Sequence, residues 1–595
     1  MPSRRLIHGL LLLSAALALL GAACPRKEAP RPTPPAAKAA EPAAAEPTAK
    51  AEPAAKAVEP RFRKQPEGAR VAVLYTASVQ GYVTPCGCTS EPLGGVARLA
   101  ALVDEARAAY GDRVVFLDAG DLLFEKPDDN LAADRCQAEA RIDLLLSTYA
   151  SKGLAATVRG PLDDVRGAEF RDARLAQHGI PTVGVPDAGR PLVAGARHAP
   201  GLLVDAGGVK VGVTGFSLDD EGRIDDVRAA LEAEVARLQR EGAALVLALA
   251  QSPRPLTQRV ARELAGLDVV IQGRAPGELP SAPEPLGERG PWLVAAGAQA
   301  QHVGVLELSL DGRAEGAKLP LDDRLAAAER RARLLDKRLE QYEQQLKDLE
   351  EGPRRTFVQE KLDKAKAERR SLFDDAKKAP PPSGPHLLAR ALPLPRGAAE
   401  EPAALAALRA YEDQIPALVQ SCEAGVRCPE PGPDTPTYVG VETCVSCHED
   451  AVTFWKAQAV KSAGKDAAGN AVERTLSHAS AWDTLVKDGK DKDRSCVGCH
   501  SVGFNQPGGY CRTSDVGQLK NVQCESCHGP GSVHVELVGA KEGLVKPRVD
   551  EATCRGCHHV PHIPTTESFV YEDKLKLILG PGHGEKRLAE ILAGQ

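Results

Sequence analysis

Cys524-Glu525-Ser526-Cys527-His528 is one of four Cys-x-x-Cys-His quintets in the last quarter of the chain; the others begin at Cys444, Cys496 and Cys554. In this pattern two thiols form thioethers to the vinyl groups of a haem, and the adjoining His gives the iron its proximal nitrogen. Cys-x-x-Cys is also half of a zinc ribbon, but a ribbon gives no reason for a His directly after the second Cys in every copy. The quintets therefore predict four covalently bound c-type haems. Cys444, Cys447, Cys496, Cys499, Cys524, Cys527, Cys554 and Cys557 would attach them, with His448, His500, His528 and His558 as proximal ligands.

The only methionine is Met1, so no haem can take a Met axial ligand. Met ligation raises haem potential relative to His, so low-potential haems are expected, bis-His or five-coordinate. Nine of the fourteen histidines fall at or after position 448. Beyond the four proximal ones, His478, His534, His559, His562 and His583 are candidates for the distal side. His559 sits beside a proximal ligand and reads as an ordinary histidine, whereas His562 stays a candidate. With three distal ligands in use, one iron would be five-coordinate and open to a small molecule such as nitric oxide.

At 595 residues and 62.8 kDa the chain is long enough for two or three domains. A net charge of -6 and a pI near 6.2, with no Lys/Arg-rich block, argue against a nucleic-acid partner. Arg4 and Arg5 precede an apolar run over 6–20, and then Gly21, Ala22, Ala23 and Cys24. This reads as an export signal over 1–23, shorter than the roughly 20 apolar residues of a spanning helix. The stretch resembles a bacterial lipoprotein signal, which implies lipidation of Cys24 and the bilayer as a partner. The expected location is the periplasmic space or the cell surface, lipid-anchored.

Residues 24–66 are Pro, Ala, Lys and Glu with almost no large apolar side chain, and should form an extended tether. Over 67–320, β-rich runs at 71–76, 114–118, 209–215, 245–250, 269–272 and 303–310 alternate with helical patterns, which predicts an α/β domain. Residues 323–378, dense in Arg, Lys, Glu, Leu and Gln and broken at Gly352 and Pro353, read as a helical hairpin. A connecting region follows over 379–436. Residues 437–595 form the haem domain, mainly helical or irregular; with few apolar runs, it needs its macrocycles to fold.

Within the first domain, the strand before Thr76, Gly81, the Gly94, Gly95 and Arg98 cluster, Asp118, Gly120, Asp121 and 268–273 resemble the secreted 5'-nucleotidase-like metallophosphoesterases. The resemblance spans about 70–312 and implies a layered sandwich with two facing sheets. Such enzymes clamp two metals with Asp, His and Asn side chains. Here the first Asp and His positions read Ser78 and Gln80, and the Gly-Asn-His motif reads Gly160, Pro161, Leu162. The next His reads Gln251, and Gly-His-x-His reads Gly273, Arg274, Ala275, Pro276. Only Asp121 survives, so this domain is expected to lack the usual phosphoesterase activity.

Fifteen cysteines, less eight for haem and Cys24, leave Cys86, Cys88, Cys136, Cys422, Cys428 and Cys511. Cys86-Gly87-Cys88 could be a redox pair, a metal ligand, or part of a structural disulfide with Cys136. Cys422 and Cys428 are close in sequence, and a disulfide between them is expected in an oxidising compartment.

The quintets and their surroundings resemble the tetrahaem cytochrome c family that accepts electrons from hydroxylamine oxidation. The matching phrases are Phe454-Trp455 after the first quintet, Ser477-His478-Ala479, His528-Gly529-Pro530-Gly531-Ser532-Val533-His534 and Gly580-Pro581-Gly582-His583. The resemblance implies His478, His534 and His583 as distal ligands. The leading expectation is an exported cytochrome that relays electrons between redox partner proteins of the cell envelope, rather than an enzyme converting a substrate. Two alternatives stand beside it: a haem oxidoreductase acting on a small nitrogen or sulfur compound, and a phosphoester or nucleotide hydrolase.

Overall fold

The computed structural model describes residues 61–593 apart from 63–67, 86–92, 126–133, 186–192, 275–280, 379–381, 459–461, 466–470, 475–476, 559–568 and positions 220, 315, 348, 351, 488 and 542. The export signal, Cys24, the tether, Cys86, Cys88, His559 and His562 lie outside the described residues.

The first part of the chain runs β1 (Arg70–Thr76), α1 (Val96–Tyr110), β2 (Val114–Asp118), α2 (Arg135–Ser151), β3 (Leu154–Val158), α3 (Ala168–Gln177), β4 (Thr182–Val183), β5 (His198–Ala199), β6 (Gly201–Ala206) and β7 (Val209–Ser217). It continues α4 (Ile224–Arg240), β8 (Leu245–Gln251), α5 (Arg254–Ala261), β9 (Val269–Gln272), β10 (Ser281–Pro285), β11 (Trp292–Ala295), β12 (His302–Ser309), α6 (Arg324–Lys347), α7 (Pro353–Lys378), β13 (His386–Pro393) and α8 (Pro402–Glu423). The strands form two sheets, ordered β13-β12-β1-β2-β3-β4-β5 and β10-β11-β9-β8-β7-β6. β8 pairs in parallel with β7 and β9 and is buried at every position, as its unbroken apolar run requires of an inner parallel strand. Val71, Val73 and Tyr75 meet Val213, Leu247 and Ile271 in the core shared by the sheets. Helices α1, α2 and α8 cover the outer face of the first sheet, and α4 and α5 that of the second. The result is a four-layered α/β sandwich.

Residues 379–436, expected only to connect, supply two structural elements. β13 extends the first sheet, antiparallel to β12 from His302↔Pro393 to Ser309↔His386. α8 starts with Pro402 after the Glu401 cap, whose carboxylate accepts the Ala404 N–H at 2.6 Å, and buries Leu408, Ile415 and Val419. The hairpin forms as expected: Asp336–Arg369 and Glu343–Lys366 ion pairs run in opposite directions along α6 and α7, over Leu346, Val358 and Leu362.

The disulfides correct the sequence expectation. Cys422 bonds Cys136, not Cys428, and Cys428 bonds Cys511, with Cα separations of 5.9 and 5.3 Å. Cys422 lies in the last turn of α8, which packs on α2, and so meets Cys136 in the first turn of that helix. Cys428 lies beyond the helix end and reaches the haem region instead. Cys136 is thereby also removed as a partner for Cys86 or Cys88.

The C-terminal region is a string of short elements: α9 (Val441–Cys444), α10 (Glu449–Ala457), β14 (Ser462–Lys465), β15 (Ala471–Arg474), α11 (Ala481–Lys487), α12 (Arg494–Val497), α13 (Cys524–His528), α14 (Ser532–Glu536), α15 (Glu551–Arg555), α16 (Tyr571–Ile578) and α17 (Glu585–Ala593). Its largest apolar cluster holds only Trp482, Leu485, Val497, Tyr510 and Val516 as buried members. Among the described residues, no helix is long and apolar enough to cross a membrane.

Candidate haem-binding site

Each quintet begins in one of the short helices α9, α12, α13 and α15. A helical turn puts positions i, i+3 and i+4 on one face, so both thiols and the imidazole of a quintet share a side. The His448 N–H donates to the Cys444 carbonyl at 2.9 Å, and the His558 N–H to the Cys554 carbonyl at 2.8 Å, closing that turn. Caps fix where the turns start: the Asp493 carboxylate accepts from Ser495 N–H, Asp550 from Thr553 N–H, and Gln523 heads a capping box. The eight quintet cysteines form no disulfide. Among the described residues, no three His, Cys, Asp or Glu side chains converge as a zinc ribbon needs.

Three proximal histidines each face a second histidine. Ring centroids lie 6.3 Å apart for His448 and His534, 5.9 Å for His558 and His478, and 5.9 Å for His528 and His583. Two metal–imidazole bonds of about 2 Å each, with half a ring at either end, span roughly 6 Å. These residues therefore fit an iron between each pair, and the three second histidines are those that the sequence resemblance implies as distal ligands. Ring orientation agrees. Nδ1 of His528, His500 and His583 lies 2.5 Å from the Lys546 carbonyl, 2.6 Å from that of Ala481 and 2.7 Å from that of Ile578. A carbonyl only accepts, so Nδ1 carries the proton and Nε2 is left to bind metal. Burial, with His558 opposite, pushes His478 down to about 4, so its ring is neutral and can ligate at neutral pH.

The attachment points adjoin. The Cys444 and Cys524 thiols stand close enough to act on each other, which in the haem-free chain pushes the first up and the second down. Burial, followed by the nearby Cys554, pushes Cys527 up to about 11. The third quintet thus stands next to both the first and the fourth. Gly580 and Gly582 seat the His583 loop on α10: a Cβ on Gly580 would meet the Phe454 ring at 2.4 Å, and Gly582 holds φ +67°.

Two further residues escaped the sequence reading. Glu525, an interior position of the third quintet, is buried and accepts from Val439, Gly440 and Gly531 N–H groups at 2.7–3.1 Å, tying α13 to the start of the first quintet. Arg494, just before the second quintet, is buried between Asp134 and Glu423 of the α/β sandwich. The Cys-x-x-Cys-His pattern prescribes neither residue, Glu525 filling one of its open positions and Arg494 lying outside it; their burial depends on segments distant in sequence.

The positions that the phosphoesterase resemblance assigns to metal ligands do converge, at the C-terminal ends of the strands, where neighbouring groups engage three of them. Ser78 Oγ donates to the Gly273 carbonyl at 2.6 Å, Gln299 Nε2 donates to Gln80 Oε1 at 3.1 Å, and the Leu162 N–H donates to Asp121 Oδ1 at 2.8 Å. Ser78, Gln80 and Asp121 hold left-handed backbone at φ 44°, 57° and 52°, a strain that commonly gathers at functional sites. Asp163, next in line after Leu162, was not singled out in the sequence; its carboxylate accepts N–H bonds from Gly160, Asp121, Leu122 and Leu123 at 2.7–3.0 Å.

Quintet turns carrying opposed histidines define the C-terminal region as a c-type cytochrome module, with covalently bound c-type haem as its cofactor. Residues 443–529 match the family described as cytochrome c554 and c-prime. Cytochrome c-554 of Nitrosomonas europaea is 36% identical over 137 residues, 20% of this chain and 57% of that protein. The chain thus spans a little over half of that relative's length. Among solved structures, it is similar to the 5'-nucleotidase precursor from Thermus thermophilus, with a TM-score of 0.38, 18% identity, and coverage of 59% of this chain and 60% of that one. It is also similar to the calcineurin-like phosphoesterase YfkN from Bacillus subtilis, with a TM-score of 0.32, 20% identity, and coverage of 40% and 84%.

Proposed function

We propose that the protein is an exported, lipid-anchored c-type cytochrome that carries four haems and relays electrons between redox partner proteins of the cell envelope. The observation that carries this reading is the set of three opposed histidine pairs beside quintet thiols that adjoin from the first to the third and from the third to the fourth. Haem so held supplies one-electron carriage. The chain's part is to set ligation, spacing and burial: carbonyls orient the imidazoles, Glu525 locks the first quintet to the third, and the absence of Met keeps the potentials low. The α/β sandwich is not a two-metal hydrolase in this reading, because Ser78, Gln80 and Asp121 are engaged with Gly273, Gln299 and Leu162. Export rests on the sequence before residue 24, and anchoring on Cys24.

A pyridine haemochrome assay combined with a spectroelectrochemical titration of the purified protein tests this reading. It should count four covalent haems per chain with low midpoints. Absence of covalent haem would sink the proposal, and metal-dependent turnover of a generic phosphoester would revive the hydrolase alternative.

A further inference from the structure

Electron relay by residues 437–595 leaves the α/β sandwich without a part in it, and Arg494 supplies one. Arg494 opens α12, two positions before Cys496, and its side chain is only 2% exposed. Its guanidinium donates to Asp134 and Glu423, each at 2.5 Å, to the Cys511 carbonyl at 2.6 Å and to Asn505 at 3.1 Å, and lies 4.7 Å over the Phe504 ring. The Arg494 N–H donates to Gln137 Oε1 at 3.1 Å, and the Gln137 amide donates to Asp493, the cap of the same helix, at 2.5 Å. The Glu423 carboxylate also accepts the Thr513 N–H at 2.9 Å. Asp134, Gln137 and Glu423 all belong to the sandwich or its edge; Arg494, Asn505 and Thr513 belong to the haem region. The Cys428–Cys511 bond crosses the same junction.

Two anions and one cation, largely shielded from water beside a thioether-bearing turn, form a fixed charge array whose field is screened far less than that of surface charges. We propose that the α/β sandwich is a permanent electrostatic frame for the haem attached at Cys496 and Cys499, and that Arg494 is the positioning residue through which it acts. The proposal rests on the haem reading above. A docking module that lets go of the haem region would not bury its contact charges in this way.

The test uses full-length holoprotein carrying Arg494→Gln, Arg494→Lys or Glu423→Gln, with haem counted by pyridine haemochrome and midpoints read by spectroelectrochemistry. Loss of the guanidinium leaves Asp134 and Glu423 unopposed and favours the ferric state. One midpoint should fall, with a reduction constant about tenfold smaller, which is about 59 mV for a one-electron couple. The other midpoints should stay in place. Arg494→Lys should restore most of the shift, and Glu423→Gln should move the same midpoint upward. If Arg494→Gln does not accumulate, the upward shift in Glu423→Gln decides. Unmoved midpoints at full haem content, or a shift spread over all haems, overturn the proposal. A wild-type haem count below four instead refutes the reading on which it rests.

Discussion

Asp118 keeps its proton to higher pH than an aspartate in water does. It is fully buried at the end of β2, and burial pushes it from 3.8 up to about 7, although Thr76, Thr157 and the Gly120 N–H all donate to it. The folded state therefore binds more protons than the unfolded chain between those two values. Asp118's contribution to stability should be largest below pH 4, fall as pH rises through this window, and level off above about 7. A tenfold difference in proton affinity between the folded and unfolded states is worth about 1.4 kcal/mol. Asp118→Asn removes the titrating group while keeping its shape, and the Thr76 hydroxyl can turn to accept from the new amide. Melting of the variant between pH 5 and 8 should show a shallower loss of stability than wild type; an unchanged slope would place the dependence on Asp121 or Asp163, which burial also raises. The sequence marks Asp118 only as part of a motif, because its protonation follows from burial between β1 and β3.

At the scale of elements, legibility divides by range. The runs expected at 71–76 and 245–250 are β1 and β8, since apolar composition and the strand period are local properties. The quintets were equally readable, their chemistry being contained in five residues. What sequence could not carry is which turn faces which. His534 follows the third quintet yet stands opposite His448 of the first, and His478 precedes the second yet faces His558 of the fourth. Cys422 shows the same limit, since proximity to Cys428 counted for less than the packing of α8 on α2. The pairing makes a direct prediction. His534→Ala, His478→Ala and His583→Ala should each turn one six-coordinate haem into a five-coordinate one, seen as loss of one low-spin signal in electron paramagnetic resonance and gain of one equivalent of carbon monoxide binding. Double variants should add. A single replacement that alters two haems, or none, would refute the axial assignment for that residue.

For the whole molecule, the question is whether the sandwich and the haem region form one body or two joined by a strand. Residues 429–435 between them are exposed throughout, which alone would suggest a hinge. Two covalent links cross the gap, however: the backbone along 429–435 and the Cys428–Cys511 bond, which lies close to the buried Arg494 ion pairs. A bridge between residues 83 apart in sequence removes freedom mainly from the unfolded chain, by about 3–5 kcal/mol in the loop-entropy account. The haem region, with its thin apolar core, depends on that restraint more than the sandwich does. A protease site placed within 429–435 separates the backbone contribution from the others. After cleavage, the two fragments should migrate together in denaturing gels without reductant, and separate once reductant is added. In native gel filtration the nicked protein should elute with the intact one. After reduction of the nicked protein, the ion pairs and hydrogen bonds around Arg494 hold the halves, and raised salt should dissociate them only weakly because Arg494 is shielded from solvent. Fragments that part without reductant would show that Cys428 and Cys511 are not bonded. Fragments that part in native filtration on reduction alone would assign the junction to the disulfide and leave the buried charges without a role in holding it.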